Sequence, residues 1–180
     1  LTLAIVSGLV IRSSDQHFII PEANIDELVR IKPEEINQRI NTIHDAQVLR
    51  LRDKLLPLIH LKTVLKLDSE SGDVTQNING EPVRVLVAKY GTARIGLIVD
   101  SLENFEEIVV KPLPRYMKSL KSYSGTSIMG NGNVSLILDI AGIVSKANLA
   151  ELAEGSEITR EKQQESGDKF GLARAEEANL

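Results

Sequence analysis

The chain has 180 residues, 42% of them hydrophobic and only 3% aromatic, with no tryptophan and no cysteine. That length can bury a core as one domain or as two small ones. The missing cysteine excludes disulfides, thiolate metal sites and cysteine nucleophiles, and the scarce aromatics argue against a stacking platform for single-stranded nucleic acid. Residues 151–180 hold eight acids and four bases, which accounts for the whole net charge of −4 and leaves residues 1–150 neutral. A neutral body makes no broad field to attract nucleic acid or anionic lipid.

The first apolar stretch, "LTLAIVSGLVI", is too short to cross a bilayer core of about 30 Å as a helix. It also lacks a basic leader and a cleavage site. No membrane insertion is expected, and a cytosolic address fits. The chain starts at Leu1 rather than methionine, and we read it as a piece of a longer protein.

Residues 2–12 are β-branched and apolar, "SSDQ" supplies turn residues, and "HFIIP" resumes. That predicts a strand, a turn and a second strand ending at Pro21. In "IDELVRI" the apolar spacing fits a helical turn or a strand; a strand from about Leu28 is favoured, because Pro33 soon interrupts the backbone. "QVLRLRDKLLPLIHL" (47–61) reads as a hairpin turning at "RDK". "LKTVLKL" reads as a short helix, and the polar, glycine-containing stretch 68–82 as a surface loop. The pattern then restarts. "VRVLVAKY" and "ARIGLIVD" are strands joined by "GT", "FEEIVVKP" is a third extended segment, and "LPRYMKSLKSYSG" is a loop with one helical turn. A last hairpin turns at Asn131-Gly132 and leads into another short helix. Residues 147–180 combine helix formers with Gly155, Gly167 and Gly171 and few apolar residues, which predicts a mobile acidic tail.

The chain says nearly the same thing twice. "DELVRIKP" and "EEIVVKP" place Lys32-Pro33 and Lys111-Pro112 79 positions apart. "LPLIHLKTVL" and "VSLILDIAGIV" align at offsets of 78 and 79. Two matches at one spacing predict a duplication. It divides the chain into β units at roughly 13–67 and 83–146, with the first strand free to complete one of them. Units of about 60 residues have marginal cores and should share an apolar interface. Short antiparallel strands with tight turns favour small barrels, since closure removes edges.

Little in the chain points to chemistry. His17, His44 and His60 sit in no metal-ligand spacing. "GNGN" lacks the Lys-Ser/Thr of a phosphate loop and reads as a hairpin turn. No G-x-S-x-G elbow is present. Asp100 and Asp139 follow strands and read as caps rather than as a catalytic pair. What remains is surface. Arg50, Arg52 and Lys54 crowd one hairpin with Arg30 and Lys32 expected nearby, and Lys111, Arg115, Lys118 and Lys121 alternate with Tyr116 and Tyr123. Exposed Arg and Tyr beside aliphatics favour protein docking.

Four stretches in this order, "FIIPEANIDELVRI", "VLRLRDKLLPLIHL", "GLIVDSLENFEEIVVKPL" and "IMGNGNVSLILDIAGIV", resemble the CheW-like family across nearly all of residues 3–146. The run "EEIVVKPLPRYMKSLKSYSGTSIMGNGNVSLILD" is similar to the regulatory-domain branch found in the chemotaxis histidine kinase CheA rather than to the free adaptor CheW. The resemblance implies a mainly β fold of two SH3-like five-stranded β-barrels around a shared core, with short helices, over residues 1–146. It implies a segment with no cofactor and no catalysis, although its parent would phosphorylate itself on histidine. The partners implied are a CheW-type adaptor, the cytoplasmic tip of chemoreceptors and the ATP-binding domain of the same parent chain. The place implied is cytoplasmic, at membrane-associated receptor arrays. One departure is Arg52-Asp53, where family hairpins often turn at Arg-Gly; it leaves the turn type open.

Partner contacts are expected from aliphatic patches ringed by charge. On the first barrel these are Ile25, Leu28, Val29, Arg30, Arg52, Lys54 and Leu55; on the second, Leu102, Phe105, Met129 and Val134. A free-standing adaptor, or a ligand- or nucleic-acid-binding β-barrel, are the rival readings.

Overall fold

The structure, a computed structural model, describes residues 3–44, 46–67 and 80–147. Most of the polar loop 68–82, and the tail expected beyond 147, lie outside the described residues. The elements follow the predicted order. Strands β1 (Ala4–Ser13) and β2 (Gln16–Pro21) form a hairpin whose turn residues, Ser14 and Asp15, both adopt positive φ, 47° and 59°. A two-residue turn of that hand matches the strand twist. Next come β3 (Ile25–Ile31), α1 (Ile36–Arg39), β4 (Ile40–Ile43), β5 (Ala46–Leu51), β6 (Lys54–His60) and α2 (Leu61–Val64). The second half holds β7 (Val83–Tyr90), β8 (Ala93–Val99), β9 (Ser101–Val110), β10 (Tyr123–Ile128), β11 (Val134–Leu138) and α3 (Ile140–Lys146). The strand expected from Leu28 starts earlier, at Ile25.

These strands build two sheets, ordered β10-β11-β2-β1-β9 and β3-β7-β8-β6-β5-β4. The stretches 13–67 and 83–146 therefore do not each build a sheet of their own. Each sheet takes its first hairpin from the other half. β1 pairs antiparallel with β9 while β2 runs parallel to β11; likewise β7 pairs antiparallel with β3 while β8 runs parallel to β6. The duplication is real in topology: β1-β2-β3-β5-β6-α2 and β7-β8-β9-β10-β11-α3 follow the same path, and the two repeats swap hairpins. It is the hairpin β1–β2, not the first strand alone, that joins the sheet made by the second half. One sheet has six strands rather than five, because the first repeat inserts α1 and β4 between β3 and β5.

Burial explains the exchange. Side chains alternate across a strand, so Val83, Val85 and Val87 face one cluster with Ile31, Ile36, Ile40, Leu49, Leu56 and Leu58. Leu86 and Ala88 point the opposite way and are equally buried. In the five-stranded sheet Ile19 faces Ile108 and Ile137, while Phe18 and Ile20 on the other face are buried too. β1 touches β8. The exchanged hairpins are thus covered on both faces, which is why "GLVI", "FII" and "VLVA" show no polar alternation. The five-stranded sheet rolls far enough that Lys111 and Thr126 exchange backbone hydrogen bonds of 2.8 and 2.9 Å, tying the end of β9 to β10.

Candidate functional site

The first group of expected contact residues gathers around β3, the edge strand of the six-stranded sheet. Alternation turns Val29 inward, where it packs on the core cluster, and turns Leu28 and Arg30 outward to solvent. Ile25 is half-buried beside a bulge in the β3–β7 pairing. Arg52 leads the β5–β6 turn with φ 56°, a conformation where glycine would be unstrained. Its Nη2 lies 3.3 Å from Glu27 Oε2, so the turn is fastened to β3, with Lys54 exposed and Leu55 half-buried just behind. The β5–β6 turn with Arg52 and Lys54 thus reaches β3 at Glu27, and the outward face of β3 carries Leu28 and Arg30. Val29 belongs to the core beneath it.

The second group divides. Met129 and Val134 stand at the β10–β11 tip and line a cavity of about 480 Å³. Val134 is 68% exposed. Leu102 is half-buried opposite Ile11, and Phe105 is exposed opposite Leu9; neither lines the cavity. In this pairing two steps on β1 face three on β9, a bulge that turns Glu103 and Asn104 toward the cavity. Glu103 Oε1 sits 3.3 Å from His17 Nε2. Glu106 Oε1 accepts from Asn104 Nδ2 at 2.8 Å. Ser135 Oγ lies 3.2 Å from the His17 carbonyl oxygen and 3.1 Å from the Met129 sulfur, and can donate to one at a time. Reading the residues alone did not single out this polar lining. It exists because β2 and β11 run side by side, Phe18 against Leu136, a pairing no local pattern reveals.

Asp100 and Asp139 work as backbone acceptors. Asp139 Oδ1 accepts from Gly142 N at 3.0 Å and caps α3. Asp100 interrupts the chain between β8 and β9. Its Oδ2 accepts from Ser14 N at 2.7 Å, and its carbonyl from Arg84 Nη1 at 2.9 Å. One residue at the crossing from one sheet to the other is therefore held by both. Among the described residues no cluster of His, Asp and Glu could hold a metal ion, and no helix is long and apolar enough to cross a membrane.

Tyr123 departs from its expected place on the basic surface. Its ring is half-buried and stacks on Phe18, centroids 6.5 Å apart and planes 13° from parallel. Burial pushes its phenol above the ordinary range. A raised folded pKa favours the neutral phenol in the folded state. The stabilisation is whole below the unfolded pKa of about 10 and is lost as pH rises through the folded value. Tyr123→Phe keeps the stack without the ionisable group. It is expected to show a smaller fall in Tm than the parent between about pH 9 and pH 11, measured by circular dichroism. An equal fall in both proteins would remove Tyr123 as the cause.

Comparison with known proteins places this geometry. The family model described as CheW-like domain matches residues 7–148. The sensor histidine kinase CheAY of Helicobacter pylori is 33% identical over 169 residues, covering 90% of this chain and 20% of that protein. The chemotaxis protein CheA of Treponema pallidum is 33% identical over 144 residues, covering 80% of this chain and 17% of that protein. That of Bacillus subtilis is 31% identical over the same length. The chain thus spans about a fifth of the length of these relatives. Among solved structures, the scaffolding protein TtCheW from Thermoanaerobacter tengcongensis superposes with a TM-score of 0.60 at 16% identity, covering 76% of this chain and 90% of that one. Two sheets with exchanged hairpins, a family model matched over most of the length and relatives above 30% identity lead to one assignment: the chain belongs to the CheW-like domain family.

Proposed function

We propose that this chain is the non-catalytic regulatory scaffold of a chemotaxis histidine kinase. It binds a CheW-type adaptor and the cytoplasmic tips of chemoreceptors, and it passes receptor state to the ATP-binding domain of its parent, in the cytoplasm at membrane-associated arrays. The docking domain occupies residues 1–146, and 147–180 form an acidic tail. The observation that carries the reading is the set of CheA-type relatives aligned over 80–90% of this chain. The surface around β3 supports it. Burying Leu28 supplies affinity at about 25 cal/mol per Å² of apolar area, while Arg30, Arg52 and Lys54 set register and encounter rate.

The test is a binding titration with the CheW-type adaptor of the same organism. Arg52→Glu is expected to weaken binding about tenfold, equivalent to about 1.4 kcal/mol, with the fold intact. Arg52 is 74% exposed, so solvent screens its ion pair with the largely buried Glu27, and loss of the pair is expected to cost about 1 kcal/mol. Unchanged affinity in a folded Arg52→Glu protein refutes the site. No adaptor binding by the unmodified chain refutes the function. ATP turnover by this segment is expected to be nil.

A free-standing CheW-type adaptor is the second reading, favoured by the superposition on TtCheW across 90% of that chain. Histidine-kinase domains encoded upstream of Leu1 in the full gene product would exclude it.

A further inference from the structure

Between β9 and β10 the chain runs through Lys111-Pro112-Leu113-Pro114-Arg115-Tyr116-Met117-Lys118-Ser119-Leu120-Lys121, with four bases and no acid. All four bases are exposed. None forms an ion pair with another described residue. Between them Tyr116 is 82% exposed and Leu120 46%. An exposed tyrosine and leucine among cations that pair with no described residue form an amphipathic patch that the β3 surface and the cavity do not include.

The segment is not a loose loop. Lys111 is paired through both backbone groups to Thr126. Pro114 has φ −54° and ψ 150°, leading into a turn over Arg115–Met117. Successive turns follow: Met117 N donates to Pro114 O at 2.9 Å, Leu120 N to Met117 O at 2.9 Å and Tyr123 N to Leu120 O at 3.3 Å. At the far end Gly142 of α3 rests against the Lys121 carbonyl. The backbone is held at both ends and turned in between, so a ligand would order few groups on binding.

We propose that Lys111–Lys121 is a docking platform for an acidic segment of a partner protein in which carboxylates alternate with apolar side chains. Charge complementarity selects the sign. Arg115 can grip a carboxylate with two parallel hydrogen bonds, and Lys118 and Lys121 act as point charges beside it. Tyr116 and Leu120 supply apolar anchors for side chains between the carboxylates. An anionic membrane fits less well. A short run of cations holds such a surface only weakly and reversibly, and stable anchoring takes a second signal such as an acyl chain. Single-stranded nucleic acid would need further aromatic faces, and the patch has one.

The probe is a short fluorescein-labelled peptide alternating glutamate and leucine, followed by anisotropy with the full chain. Saturable binding that weakens with added salt is expected. Combined Arg115→Glu and Lys118→Glu should weaken it at least about tenfold, and Tyr116→Ala by about fivefold. Lys89→Glu, a reversal of an equally exposed charge on the β7–β8 hairpin, should leave it within about twofold. Circular dichroism should find every variant folded, since each altered side chain is exposed. The platform is refuted by absence of saturable binding, by equal losses in Lys89→Glu, or by an unaltered Tyr116→Ala. Binding to phosphatidylglycerol vesicles without binding to the peptide overturns it in favour of lipid. None of these outcomes depends on adaptor binding at Arg52.

Discussion

When the chain is cut between Leu67 and Gly80 and the two pieces are made apart, neither is expected to fold; mixed, they should assemble one to one. The exchange of hairpins dictates this. In the amino-terminal piece β1 and β2 lose β9 and β11, the strands that flank them. Leu9, Val10, Ile11, Phe18, Ile19 and Ile20 are then left without most of the surface that buries them to 0–1% exposure. Each such side chain contributes about 1.5–3 kcal/mol when fully buried, so the six together are worth on the order of 10 kcal/mol. Net stability of a domain is only about 5–15 kcal/mol, and neither piece survives that loss. The other piece suffers equally, because β7 and β8 lose β3 and β6. Had each repeat closed its own barrel, both pieces would fold alone. Circular dichroism of each piece, and size exclusion of the mixture, distinguish the two cases. Two independently folded pieces would contradict the exchanged topology.

What could be read without coordinates was what the backbone decides locally. Gly91 and Gly132 adopt positive φ at the turns where "GT" and Asn131-Gly132 announced them. The Lys-Pro echo lies at equivalent points of the two repeats, directly after β3 and β9. The duplication was legible because both copies still need the same strand ends. The exchange was not. A run such as "FII" says that both faces are buried, but Phe18 meets Leu136, 118 positions away, through a parallel pairing with no sequence signature. The cavity and the inward turn of Tyr123 depend on that same pairing and were hidden with it. Position along β3 was legible for Leu28 but not for Val29. Their faces follow from register against β7, and a shift of one residue reverses them. Between Pro33 and Ile43, Ile36, Ile40 and Ile43 recur at helical spacing, yet only Ile36–Arg39 is helical; α1 and β4 owe their place to Ile36 and Ile40 reaching the cluster.

Gly142→Ala is expected to destabilise the protein by about 2 kcal/mol or more, although alanine is the better helix former. In an exposed helix the change would gain about 1 kcal/mol. Here a Cβ on residue 142 would fall onto the carbonyl of Lys121, with Ser122 N only 3.0 Å away. The obstacle is backbone, so no side chain can rotate aside. Overpacking costs about 1–3 kcal/mol where side chains can adjust, occasionally more, and a backbone obstacle belongs at the upper end. Neither partner can retreat cheaply. Ile140, Ile143 and Val144 bury α3, Asp139 caps it through Gly142 N, and Asp139 N donates to Ser122 O at 2.8 Å. Because α3 also contacts β7, displacing it loosens the six-stranded sheet as well as the Lys121 anchor. Ser145→Ala, at an exposed position of the same helix, has no such obstacle and should be neutral or slightly stabilising. Thermal unfolding of the two variants side by side checks the contrast. A Gly142→Ala protein as stable as Ser145→Ala would mean that α3 does not press on the Lys121–Ser122 backbone.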